Sequence, residues 1–272
     1  MIILDGKVIA KQMTKELKRI IKTLSFTPKL SIIQVGDNPA SNKYISYKLK
    51  KAQELKIITN LIKVKNTIAE TSLIDLIKKS AQQCDGLIIQ LPLPQHLNKQ
   101  KVLNAVPFEK DIDGLAVGNN LIIPATPQAI IKLLFGYHFS FKHQVVAVIG
   151  QSSLVGKPTA DLCEKLGAKQ VLRIDKKTGL KTAIVADIVI VAIGKPKLIK
   201  AKHLKKNSIV IDVGINEIAD ENSMRKIVGD VDADDVKDVV KALSPVPGGV
   251  GPMTVVSLLK NLVDVCERKD ND

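Results

Sequence analysis

Apolar runs of strand length alternate with lysine-bearing amphipathic stretches along most of the chain. KLSIIQV, NLIKV and GLIIQL in the first half, and QVVAVIG, KQVLRI, DIVIVAIG and SIVIDVGI in the second, are rich in Val, Ile and Leu. Near-continuous runs of this kind suit strands covered on both faces. Between them, 40–56 and 69–81 carry helical periodicity, and another helix is expected over about 127–135. The alternation predicts an α/β fold, with parallel sheets covered by helices. Each strand of the second half ends at a glycine, an acid or a polar turn, and open α/β sheets bind ligands at those carboxyl ends. Gly, Asn and Pro crowd the segment from Asp113 to Pro127, which predicts a link between two blocks. A last long helix, about 253–266, follows PVPGGVGP and is expected to pack back on the first block.

With 272 residues and 45% hydrophobic content, the chain can bury cores for two modest domains. No apolar run approaches the roughly 18 residues of a membrane span. MIILDGK lacks the basic lead and cleavage pattern of a secretory signal and is expected to be structural. Cys84, Cys163 and Cys266 are widely spaced and form no CxxC pair, so neither a disulfide framework nor a metal site is expected. A cytoplasmic location fits that usage. The net charge of +14 brings nucleic acid into view. The lysines are dispersed, however, and at 3% aromatic content stacking platforms are scarce. Solvated helix faces and attraction to a small anionic substrate account better for the charge. A basic nucleic-acid-binding protein on a nucleotide-binding scaffold is the remote alternative.

The stretch VIGQSSLVGKPTA, from Val148 to Ala160, reads as strand, turn and helix in order. Gly150 closes the strand, and Pro158 fits a first helical turn, where its missing N–H leaves no bond unmade. Backbone N–H groups from Gln151 to Val155, with the helix N-terminus, can hold a pyrophosphate, and Ser152 or Ser153 stands where a middle glycine would be. A tight turn with two glycines also arises without any ligand. At the end of the next strand Asp175 suits a ribose hydroxyl, whereas Arg173, Lys176 and Lys177 suit an added phosphate; Asp175 as a plain turn cap is the third reading.

In the first block, SNKYISYKLKKA places Tyr44 and Lys48 four residues apart on one helix face. IQLPLPQH ends a strand at Gln90 in a proline-stiffened turn, and KDIDG brings Asp111 and Asp113 into a glycine turn. Singly, each is an ordinary turn or surface residue. Together they mark a candidate site.

In these residues the chain resembles the bifunctional methylenetetrahydrofolate dehydrogenase/methenyltetrahydrofolate cyclohydrolase family. The resemblance rests on VGDNPASNKYISYKLKKAQELKI, GLIIQLPLPQHLN, KDIDG, SSLVGKP, ADIVIVAIGKP, IVIDVGIN, GDVD and SPVPGGVGPMT, in the family's order across nearly the whole chain. It implies a folate-binding catalytic domain over 1–121, completed by a C-terminal helix over 254–272, and a Rossmann-type NAD(P)-binding domain over 122–253, with a cleft between them. It implies oxidation of 5,10-methylenetetrahydrofolate to the methenyl form, then hydrolysis to 10-formyltetrahydrofolate, in a homodimer. A member with only one of these activities is the nearest alternative. By the same resemblance Lys48 is the general acid/base, Tyr44 stacks near the folate, Gln90 positions Lys48, and Asp113 holds the pterin. Leu91, Pro247, Gly248, Gly249, Gly251 and Pro252 complete the substrate site. Gly150, Gln151, Ser152, Leu154, Val155, Asp175, Ile215 and Thr254 line the cofactor. A lysine exchanges protons at neutral pH only when desolvation or a neighbour favours it. Hydride transfer needs alignment rather than a protein base.

Three departures from the family's pattern alter the expectation. Gln151 replaces the arginine that helps bind the 2′-phosphate of NADP, and Ile174 and Asp175 replace the basic or hydroxyl residues usual after the next strand. A lost cation and an added carboxylate predict a shift from NADP, the family default, toward NAD. After KDIDG, Leu115-Ala116-Val117 replaces the frequent Phe-His-Pro, which bears on substrate closure and hydrolysis.

Overall fold

A computed structural model describes residues 1–219 and 225–271. The elements run, in chain order, strand β1 (Ile2–Ile3), helix α1 (Gly6–Thr23), β2 (Lys29–Val35), α2 (Pro39–Glu54), β3 (Ile58–Val64), α3 (Glu70–Ala81), β4 (Gly86–Gln90), α4 (Lys99–Leu103), α5 (Ala125–Gly136), β5 (Val145–Ile149), α6 (Gly156–Lys165), β6 (Gln170–Ile174), β7 (Ile188–Val191), β8 (Ile209–Asp212), β9 (Asn216–Ala219), β10 (Arg225–Val228), α7 (Ala233–Val236), β11 (Ala242–Leu243) and α8 (Val250–Asn271). They form two compact units, one of Gln12–Ala125 with Val255 onward, the other of Met1–Lys11 with Thr126–Thr254.

In the Gln12–Ala125 unit the sheet order is β3-β2-β4, parallel throughout. All five positions of β4 and all but the first of β2 are buried. Burial on both faces explains why these strands read as unbroken apolar runs. Ile33, Val35, Ile89, Leu73 and Ile77 join α3 to the sheet in one core. Edge strand β3 is mostly open to solvent, and its Thr59, Asn60 and Lys63 fit that position. Helix α8 contributes here too: Lys269 Nζ donates to Asp85 Oδ1 at 2.8 Å.

The other unit holds a six-stranded parallel sheet of order β1-β11-β8-β7-β5-β6. Ala147, Ile149, Val189, Val191, Val210 and Leu243 form its core. The chain passes from β5 outward to β6, then returns past β5 to β7. The carboxyl ends of β5 and β7 therefore flank the switch point, the usual ligand crevice of a doubly wound sheet. Strands β9 and β10 pair as a separate antiparallel ribbon.

The compact units divide the chain differently from the expected range of 1–121 for the first domain. Ile2 pairs with Ala242 and Ile3 with Leu243, and Ile2 and Leu4 N–H donate to Lys241 and Leu243 carbonyls, so Met1–Lys11 joins the nucleotide-type unit. The later boundary falls between Ala125 and Thr126 rather than after residue 121, and the next lies between Thr254 and Val255 inside α8.

Candidate functional site

Asn38 caps α2 by accepting from Ser41 N at 3.0 Å, and Pro39 occupies the first helical turn. One turn apart on the helix follow Tyr44 and Lys48. Lys48 Nζ donates to Gln90 Oε1 at 3.1 Å. Gln90 sits at the end of β4, and its Nε2 donates to Leu91 O at 2.7 Å, so its amide orientation is set. Ser41 Oγ donates to the same carbonyl at 3.2 Å, tying the start of α2 to the turn with the cis Leu91–Pro92 bond. Lys48 is half-buried, and its recorded partner is a neutral acceptor rather than a carboxylate. Tyr44 is 43% exposed, and desolvation of the covered part raises its phenol above the ordinary 10.0.

Asp113 lies half-buried in the loop after β4 and α4. Its neighbour Asp111 holds that loop, accepting from Gly114 N at 3.1 Å, Ala116 N at 2.8 Å and Asn119 Nδ2 at 3.2 Å. Burial raises the Asp111 carboxyl, against the pull of those donors. From α8, Asn261 Nδ2 donates to Ile112 O at 2.8 Å and Ile123 O at 2.9 Å, bracketing the loop on both sides of Asp113. Asp111, grouped with Asp113 from the sequence, serves as a support of the loop, and Asn261 is a support that the expected site lacks. The Asx-turn signature of KDIDG foreshadows Asp111, but no sequence signal brings Asn261 to residue 112. Leu115-Ala116-Val117 packs inward through Ala116 while Val117 stays 64% exposed. A cavity of about 680 Å³, lined by Gln34, Asn42, Lys50 and Lys63 among others, lies on the opposite face of α2 from Tyr44 and Lys48 and takes no part in this grouping.

In the other unit Gly150 has φ +99° at the end of β5, and a Cβ there would overlap the Ala192 carbonyl at the end of β7. At Gly156 a Cβ would overlap the Gly150 carbonyl. Both glycines are thus required by the tight turn. Ser152 Oγ accepts from Val155 N at 3.3 Å and Gly156 N at 3.4 Å, so these two donors are engaged by the serine. Leu154 is half-buried in the same turn. Gln151 folds back, its Nε2 donating to Val148 O at 2.8 Å.

Asp175 follows β6 and is exposed; its Oδ1 accepts from Lys177 N at 2.8 Å and from Thr178 N and Oγ1 at 3.0 Å. The Thr178 and Lys177 backbone bonds hold its carboxyl below the usual range. Asp175 therefore caps a turn, whatever else it contacts. Arg173 is bound to Asp161 at 2.6 Å and Glu164 at 3.0 Å. Ile215 is 51% exposed just beyond β8.

The loop 245–252 is held by the N-terminus. Gly6 N donates to Gly248 O at 2.9 Å, Gly249 N donates to Pro245 O at 2.7 Å, and Gly248 has φ +120°. Pro247, in a cis bond, is exposed. Nothing lies within 4 Å of a Cβ at Gly251. Pro252 opens α8, and Thr254 Oγ1 donates to Gly251 O at 2.8 Å.

Lys48, Gln90, Tyr44 and Asp113 thus belong to one unit, and the turn 150–156, Asp175, Ile215 and the loop 245–252 to the other. Residues 4–113 match the family model of the tetrahydrofolate dehydrogenase/cyclohydrolase catalytic domain, and 124–270 match that of its NAD(P)-binding domain. Among curated relatives, the bifunctional protein FolD of Mycoplasma mobile is 47% identical over 98% of both chains. That of Mycoplasmopsis synoviae is 45% identical over 97% of this chain and 99% of its own. Among solved structures, the bifunctional FolD dehydrogenase/cyclohydrolase of Campylobacter jejuni superposes with a TM-score of 0.93 at 35% identity, over 99% of each chain. The Trypanosoma brucei enzyme, solved with NADP and an inhibitor, superposes at 0.91 with 29% identity, over 99% of this chain and 98% of its own.

Proposed function

Since the chain belongs to the tetrahydrofolate dehydrogenase/cyclohydrolase family, it oxidises 5,10-methylenetetrahydrofolate with NAD(P)+ and hydrolyses the methenyl product to 10-formyltetrahydrofolate, and we propose that Lys48 exchanges the protons of the hydrolysis. The observation that carries this reading is the 3.1 Å bond from Lys48 Nζ to Gln90 Oε1, with the Gln90 amide locked by Leu91 O. Water adding to the electrophilic methenyl carbon gives up a proton to Nζ. When the C–N bond breaks, the departing ring nitrogen takes that proton back, and the hydroxyl left on the carbon loses its own proton to water as the formyl C=O forms. Gln90 fixes where Nζ stands without adding a counter-charge. Tyr44 offers a partly exposed ring for stacking, and Asp113 a carboxylate for pterin N–H groups. Leu91, Pro247, Gly248, Gly249, Gly251 and Pro252 are assigned to the folate. The test is Lys48→Met: loss of methenyl hydrolysis is expected, and hydrolysis at the full rate removes Lys48 from the mechanism.

Gly150 and Gly156 let the chain turn tightly from β5 into α6 beside the switch point, where doubly wound sheets hold a nucleotide. NAD(P)+ supplies the hydride acceptor when bound. Gly150, Gln151, Ser152, Leu154, Val155, Asp175, Ile215 and Thr254 are the residues assigned to hold it. We favour NAD over NADP, because Gln151 is folded onto Val148 O and Arg173 is occupied by two carboxylates. The carboxylate of Asp175 adds repulsion toward a further phosphate. A higher kcat/KM with NAD than with NADP is expected; the reverse order overturns the preference. The resemblance also implies a homodimer, which light scattering of the purified protein tests. No helix among the described residues is long and apolar enough to cross a membrane.

A further inference from the structure

Beyond the turn at Gly150, the cofactor side of the sheet is held by two buried carboxylates that lie within IVIDVGIN and GDVD but to which the resemblance assigns no role. Asp212 ends β8 and Asp230 follows β10; they are 3% and 0% exposed. Asp212 accepts from Gly214 N at 2.9 Å, Asp230 N at 3.0 Å and Val231 N at 2.8 Å. Asp230 Oδ2 accepts from Ile193 N at 2.7 Å and Gly194 N at 2.9 Å, while its Oδ1 accepts from Lys195 N at 2.8 Å and Asn216 Nδ2 at 2.9 Å. One carboxylate thus satisfies the backbone that leaves β7 and the side chain that follows Ile215. A Cβ at Gly214, on the other side of Ile215, would overlap the Asp230 carboxylate. Ile215 is clamped from both flanks by the same group. Gly150 meets the structure at Ala192, the residue just before the first of these donors.

We propose that Asp230 is a positioning residue for nicotinamide-cofactor binding: it sets the loop 193–195 and the exposed Ile215 side chain at the switch point without touching the cofactor. This rests on placing the cofactor at that switch point. All four bonds require an acceptor on both oxygens. An asparagine amide turned one way sets its NH2 group against the Ile193 and Gly194 N–H donors, and turned the other way against Lys195 N–H even if the Asn216 amide flips, so Asp230→Asn breaks part of the bracket while preserving shape. A carboxylate holding three successive backbone N–H groups is also the cheapest way to fix a loop lacking regular structure, since it replaces hydrogen bonds that no neighbouring strand provides.

The experiment measures Asp230→Asn in both reactions. KM for NAD(P)+ in the dehydrogenase reaction is expected to rise about 10-fold or more, as for the loss of a group that orients a binding residue. With saturating cofactor kcat stays near the wild-type value, and methenyl hydrolysis, measured without nucleotide, is retained. Asp230→Glu restores part of the cofactor affinity. If Asp230→Asn does not fold, Asn216→Ala removes one of the four bonds and is expected to raise the same KM with hydrolysis intact. Equal losses in both reactions, or an unchanged KM in the variants that fold, overturn the inference. Ile215→Asp separates it from the placement of the cofactor: if that variant binds NAD(P)+ normally, the placement itself fails, whereas weakened binding there with an unchanged Asp230→Asn KM refutes the role of Asp230 alone.

Discussion

Replacing Asn261 with leucine tests whether α8 holds the Asp113 loop. The side chain is 2% exposed, and its Nδ2 serves the carbonyls of Ile112 and Ile123 at 2.8 and 2.9 Å. Leucine has the same branching at Cγ, is somewhat bulkier and has no donor. The Ile112 acceptor is buried and would be left unsatisfied, costing about 1–3 kcal/mol. The Ile123 acceptor is only partly buried and can turn to water, so its loss costs about 0.5–1.5 kcal/mol. Together they predict a destabilisation of about 1.5–4.5 kcal/mol, read as a lower urea midpoint with an unchanged slope. The freed loop also carries Asp113, so KM for the folate is expected to rise in both reactions while KM for NAD(P)+ stays unchanged. Destabilisation below about 1 kcal/mol together with an unaltered folate KM would refute the bracket.

Gly6→Ala would thrust a methyl group into the Gly249 carbonyl. Ordinary C···O contacts lie at roughly 3.3–3.6 Å, so the loop 245–249 must move, and folate KM is expected to rise by about 10-fold or more, checked by steady-state kinetics. The pH dependence of stability tests Asp212, whose carboxyl burial pushes from 3.8 up to about 6. A raised carboxyl binds its proton more tightly in the folded state. Its stabilising contribution is complete below pH ~4 and lost as pH rises through ~6. The loss amounts to about 3 kcal/mol. The stability of wild type minus that of Asp212→Asn is therefore expected to fall over that interval in denaturation curves at stepped pH, and to stay level above it.

The strands that are buried on both faces were legible because burial leaves an unbroken Val/Ile/Leu run: GLIIQL gave β4 and DIVIVAIG gave β7 within a few residues. The helix expected over 253–266 runs from Val250 to Asn271, since its polar last turns hide the period that the apolar middle displays. Helix α1 repeats Ile9, Met13 and Leu17 at helical spacing, a signal that a search for strand-length apolar runs passes over. Strands β1 and β11 have two residues each and exist only because distant segments pair, which no local pattern encodes. The same holds at the sites. Tyr44 and Lys48 share a face by helical spacing alone, and Gln90 follows from the end of a strand. Asn261 and Asp230 act through groups far along the chain; GDVD marks Asp230 as part of the family's pattern, but no neighbouring residue tells which groups either side chain holds.

The pairing of Ile2 with Ala242, and the division of α8 at Thr254, bear on how the protein folds. Met1–Lys11 has no sheet to join until the distant β11 is in place, and the Gln12–Ala125 unit lacks Asn261 until α8 docks on it. Each unit therefore closes by joining ends that a long loop separates, an entropy that is lost before the final contacts repay it, so refolding is expected to be slow for a chain of this size.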